Sequence, residues 1–151
     1  NVSNVPTTAA AISSMKGWYV NLESSGTYTY SPDPARSFGA ERVLTDPNAD
    51  PSSKAVFFTT FKPYSEECAL GGKSFIWALK YNTGGVPENL TGNVMVQLST
   101  GSIEQVNLQN ALTGAGGRRS AAMEGEPPRG EGMAIIGSPT PLKRVLQIKE
   151  R

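Results

Sequence analysis

Residues 55–85, AVFFTTFKPYSEECALGGKSFIWALKYNTGG, constrain the fold more than any other stretch of the chain. They hold four of the five Phe residues, one of the two Trp and the single Cys. Residues 55–61 form a continuous run of β-branched and aromatic side chains, the pattern of a strand buried on both faces. Residues 73–80 are a second such run. Phe75, Trp77 and Leu79 fall on one side of it and Ile76 and Ala78 on the other. Neither run shows the polar alternation of an exposed sheet, so Phe57, Phe75, Trp77 and Leu79 are expected in the core. Between the runs, Pro63, Cys68 and Gly71-Gly72 read as a long connection with sharp turns. After them, Tyr81-Asn82-Thr83-Gly84-Gly85 closes the second strand. A strand ending in W-A-L-x-Y-x-T-G-G is also how a β-propeller blade often passes to its next strand.

Around this centre, 151 residues are enough for one domain with a sizeable core and too few for two large ones. Only 18% of the residues are charged, while 16 Gly and 11 Pro point to a loop-rich β protein, away from a helical bundle. A net charge of +1 gives no electrostatic case for nucleic acid. No apolar run approaches the roughly 18 residues that a membrane-spanning helix needs. The N-terminus lacks the basic and apolar regions of a signal peptide. Because the chain starts at Asn, it is expected to be processed or excerpted from something longer.

Taken in order, residues 1–15 are rich in Ser, Thr and Ala without a period and read as an arm or linker; 16–151 read as the folded domain. Strands are expected at 16–22, 41–46, 93–100, 102–108, 132–137 and 143–150, with 23–39 a structured surface loop. The pair 93–100 and 102–108 turns at Thr100-Gly101 and puts Val94, Val96 and Leu98 on one face. Residues 109–131, rich in Gly, Pro and Arg, read as one long loop that is either mobile or clamped onto a partner through Arg118, Arg119 and Arg129. The expected fold is therefore all-β with antiparallel sheets. It is either a partial β-propeller or an open β-sandwich, with long Gly/Pro-rich loops. Eight strands make about two blades at roughly 40–45 residues each, and a propeller needs at least four. Such a chain needs preceding sequence or another chain to complete its sheet.

The inventory of reactive groups is short. Without His there is no Ser-His-Asp or Cys-His engine and no H-E-x-x-H zinc motif. One Cys excludes a Cys-based zinc or iron–sulfur site within the chain. No glycine-rich phosphate cradle follows a strand. Ser13-Ser14-Met15-Lys16 matches S-x-x-K but lacks the S-D-N and K-T-G partners, so the match is read as accidental. Asp46, Asn48 and Asp50 have the oxygen spacing that opens a calcium loop, yet Pro51 stands where Gly is needed and Phe57 where the bidentate Glu belongs. They are the only metal candidates, and a turn before a buried strand is the better reading. Arg129-Gly130-Glu131 reads as a polar turn. Cys68 is read either as a small buried apolar side chain or as half of a disulfide to a cysteine on another segment or chain. Its polar loop favours the disulfide. No catalytic residue and no cofactor is assigned.

The succession KGWYVNL (16–22), ERVLTDP (41–47) and VFFTTFKPYSEECALGGKSFIWALKYNTGG (56–85) resembles the C-terminal β-propeller of PilY1/PilC-type type IV pilus proteins. The closing GGRR (116–119), EGEPP (124–128) and KRVLQIKER (143–151) are similar to the extreme C-terminus of such chains. The likeness covers residues 16–99 well and the remainder loosely. It implies a non-enzymatic, secreted component of the bacterial cell surface, acting at the pilus tip in assembly and adhesion, with pilins and minor pilins as partners. The family's acidic calcium loop has no counterpart here beyond Asp46, Asn48 and Asp50, so calcium is expected only on parts of the protein outside this chain. The alternative is a fragment of an extracellular quinoprotein-like propeller enzyme, whose blades also end in A-L-x-x-x-T-G.

Overall fold

The computed structural model describes residues 2–4, 16–66, 68–87, 90–112 and 119–136. Its centre is the antiparallel pair anticipated from residues 55–85. Strand β7 (Ala55–Pro63) runs against β8 (Gly72–Lys80) over nine residues each, with Phe58 opposite Trp77 and Thr60 opposite Phe75. Two short strands, β5 (Arg42–Val43) and β6 (Asn48–Asp50), pair with the free side of β7. Strand β11 (Arg119–Gly125) pairs with the far side of β8 and completes a five-stranded sheet. Strands β9 (Asn93–Leu98), β10 (Ile103–Asn107) and β12 (Pro128–Ile136) make a second, three-stranded sheet with β9 in the middle.

Two smaller pairs stand apart. Strand β1 (Val2–Asn4) is parallel to β2 (Gly17–Tyr19), and β3 (Gly26–Tyr28) forms a hairpin with β4 (Arg36–Phe38). One four-residue helix, α1 (Leu108–Ala111), follows β10; the Asn107 side chain caps it by accepting the Asn110 N–H at 3.0 Å. The described residues are thus mostly β, the main sheets are antiparallel, and no sheet closes into a barrel.

The period-2 alternation of β7 and β8 divides the core in two. One face carries Ala55, Phe57, Ile76 and Ala78, which cluster with Val94, Val96 and Leu98 of β9 and with Leu108 and Leu112 around α1. The opposite face carries Phe58, Phe75, Trp77 and Leu79, against which Trp18, Val20, Leu22 and Tyr30 pack. All four residues expected in the core, Phe57, Phe75, Trp77 and Leu79, are buried. Trp77 stacks on Phe58 at 5.7 Å between ring centroids and 9° between planes.

Three expectations are corrected. The described residues hold twelve strands, where about eight were expected. Residues 109–131 are not one loop: they contain the end of α1, all of β11 and the start of β12. The reason is context. An Ala/Gly/Arg-rich segment has no strand period of its own, but β8 offers it a complete row of backbone partners. Irregularities between Ala121 and Met123, and between Pro128 and Met133, break the alternation further. The loop expected at 23–39 contains the β3–β4 hairpin. By contrast, the strand expected at 16–22 shrinks to Gly17–Tyr19 and that at 41–46 to Arg42–Val43. The strand expected at 143–150, and all of the N-terminal arm except β1, lie outside the described residues.

Candidate functional site

Alternation along β7 puts Phe58, Thr60 and Lys62 on the face shared with Lys73, Phe75 and Trp77 of β8. Lys62 is therefore a cation inside an aromatic face, with no solvent exposure. Its ammonium donates to Glu23 Oε2 at 2.8 Å and lies 3.1 Å from the centroid of the Tyr28 ring. Arg119, brought in by β11, donates two bonds to the same Glu23 carboxylate at 2.6 and 3.1 Å. Its guanidinium stacks 3.7 Å from the Phe75 ring centroid, and its Nη2 is 3.2 Å from Glu41 Oε2. Glu41 is buried. It accepts hydrogen bonds from the Thr60 hydroxyl, from Trp77 Nε1 at 3.2 Å and from the Glu23 N–H at 3.1 Å.

Two cations face two carboxylates, so this network is neutral. Burial pushes the Glu23 carboxyl up, but hydrogen bonds from Arg119, Lys62 and the Tyr30 hydroxyl outweigh it and hold the group at about 2. The Tyr30 hydroxyl is driven well above its ordinary range, by burial first and then by the bond it donates to Glu23. For Arg119, burial opposes the charge, but the bonds to Glu23 and the Glu41 charge win and raise its pKa further. Each acid in this network is committed to a cation, so the arrangement locks β11, β7 and the N-terminal segments together.

Tyr30 carries this network to the edge of a cavity of about 300 Å3. Aromatic walls come from Tyr30, Phe38 and Tyr64, with 5.4 Å between the Phe38 ring centroid and each of the other two. Charged groups stand around them. Arg36 lies 3.7 Å from the Tyr64 ring centroid and donates from Nε to Glu66 Oε2 at 3.3 Å. Lys73 pairs with Asp33, and the Tyr64 hydroxyl donates to Glu124. Burial first, then that bond to Glu124, raises the Tyr64 hydroxyl above its usual value. Neither the network nor the cavity was read from the sequence. The available signal was Lys62, a lone cation closing an apolar run, which required a buried partner.

The residues singled out in the sequence sit elsewhere. Asp50 accepts hydrogen bonds from the backbone N–H and hydroxyl groups of Ser52 and Ser53, at 2.6 to 3.1 Å, and thereby closes the turn into β7. Those bonds, that from the Ser53 hydroxyl foremost, lower its pKa. Asp46 is exposed and donates its N–H to the Gly130 carbonyl at 3.0 Å, and Asn48 pairs with Phe57 in the sheet. Among the described residues no group of three or more His, Cys, Asp or Glu is placed to hold a metal ion.

Cys68 is exposed with a φ of +67°, in the polar connection between β7 and β8. This corrects the reading of a small buried side chain: the connection projects outward, and the apolar faces are already filled. Arg119 is likewise no surface contact but a member of the buried network, because β11 is a strand. Arg129 is exposed, beside a shallow groove lined with Gln97 and Glu131, and Arg118 lies outside the described residues. Compared with protein-family models, with curated proteins and with solved structures, the chain matches none.

Proposed function

We propose that the chain is a non-enzymatic module of a type IV pilus tip or assembly protein, working at the bacterial cell surface in pilus biogenesis and adhesion. The observation that carries this reading is the neutral buried network: its acids and cations are consumed in holding strands together, as suits a rigid scaffold. The residues behind the resemblance are used in the same way. Glu41 of ERVLTDP meets Thr60 of VFFTTF and Trp77 of SFIWAL in one hydrogen-bonded unit. Thr45 accepts from both the backbone and the hydroxyl of Thr59, at 2.8 and 3.0 Å. Gly72 has the Lys62 carbonyl 2.3 Å from where a Cβ would stand. The apolar cluster shared by the two main sheets suits both architectures expected, an open β-sandwich or neighbouring propeller blades. Its partners are the preceding part of the same protein or another chain that completes the sheet, together with pilins and minor pilins.

The test is mass spectrometry of sheared pili and of the native protein purified without denaturant. The reading expects the chain in the pilus fraction with a longer upstream polypeptide or pilus subunits. Recovery in the cytosol alone, free of either, overturns it.

A further inference from the structure

We propose that the cavity between Tyr30, Phe38 and Tyr64 binds a single neutral sugar ring. The proposal deepens the adhesion reading and rests on it for where such a sugar is met. The chemistry of the walls selects the ligand class. Two cations, Arg36 and Lys73, alternate with three carboxylates, Asp33, Glu66 and Glu124. A cationic ligand meets Arg36 and Lys73, and an anionic one meets the three carboxylates. A neutral polyol suffers neither repulsion, because each hydroxyl both donates and accepts.

The pairs already formed leave capacity for such a ligand. Among the described residues Arg36 bonds Glu66 through Nε alone, leaving the donors on its two terminal nitrogens and the second Glu66 oxygen for a ligand. The paired guanidinium and carboxylate present a donor and an acceptor side by side, which suits two adjacent hydroxyls. Phe38 is buried and Arg36 covers one face of the Tyr64 ring, so the surface left for the C–H face of a pyranose comes from the half-buried Tyr30 and Tyr64 rings. Size fits as well: about 300 Å3 lies at the lower end of ligand pockets, room for one ring but not for a lipid or a long glycan. The site is also framed on both sides by the rigid sheet. Tyr30 is held through Glu23, and Lys73 and Glu124 stand opposite each other on the paired strands β8 and β11.

The experiment is saturation-transfer NMR on the purified protein with the methyl glycosides of glucose, galactose, mannose and N-acetylglucosamine, and with arginine methyl ester as the cationic probe. Arg36→Gln and Glu66→Gln are the variants, since both side chains are partly exposed and their pair is peripheral to the fold. The expected result is saturable transfer to at least one glycoside and weakening by about tenfold in either variant, the loss of one charge-assisted hydrogen bond, with unchanged melting temperature. No transfer to any glycoside overturns the proposal, as does transfer that both variants preserve or transfer to arginine methyl ester alone. The two readings fail separately. A pilus-borne protein that binds no glycoside removes the sugar site only, and a glycoside-binding protein absent from pili removes the pilus assignment only.

Discussion

Glu41 holds Thr60, Trp77, the Glu23 backbone and one arm of Arg119, so its removal strands several buried groups at once. Glu41→Ala is expected to cost ~3–5 kcal/mol by chemical denaturation, the range for breaking a buried charge pair from one side. Glu41→Gln keeps an acceptor and should cost less; equal losses would show that its charge contributes nothing. Glu23 sets the pH dependence. Its folded pKa of about 2 lies below the ordinary 4.5, so its contribution is complete above pH 4.5 and is lost as the pH falls from there toward 2. Unfolding midpoints between pH 2 and 5 should fall with acid in the parent and fall less in Glu23→Gln. At this scale the sequence was only partly legible. With the strand read as ending at 61, Lys62 fell in the connection, and nothing local indicated a carboxylate 39 residues upstream. The oxygen spacing of Asp46, Asn48 and Asp50 was visible, yet Ser52 and Ser53 decide where Asp50 points.

Among the elements, the β7–β8 pair was the most legible because long apolar runs determine a strand through their own burial. Strand β11 was not, because its neighbour β8 supplies the reason it is extended. The connection between β7 and β8 depends on close backbone approach at its glycines. A Cβ on Gly72 would stand 2.3 Å from the Lys62 carbonyl and 2.7 Å from Pro63 Cα. Gly72→Ala is therefore expected to destabilise by about 2 kcal/mol or more, since two paired strands must separate to admit it. Gly101 provides the comparison: it has a φ of +95° but nothing within 4 Å of a Cβ. Gly101→Ala should cost about 1–2 kcal/mol, from backbone strain alone. Thermal melts of the two variants separate the effects, and a smaller loss at Gly72 than at Gly101 would contradict the close approach.

Across the whole molecule, β10 and β11 are outer strands of their sheets among the described residues, and unpaired strand edges invite further strands. Residues 1–151 expressed alone should therefore associate with copies of themselves or with added upstream chain. Light scattering giving the mass of one cooperatively melting chain would refute this. The buried network also has a consequence for the order of folding. Glu23 meets Lys62 across 39 residues of sequence and Arg119 across 96. The β7–β8 hairpin, joined by residues 64–71, can form from contacts close in sequence, whereas β11 arrives only after a much longer loop is closed. Until then Glu23 has only Lys62 and the Glu41 carboxylate lacks its Arg119 partner, so the half-built face carries an uncompensated negative charge. Docking of β11 is thus the late step that neutralises the interior. Added salt, by screening the attraction between Arg119 and that face, should slow this late step at low ionic strength while leaving the hairpin itself unaffected.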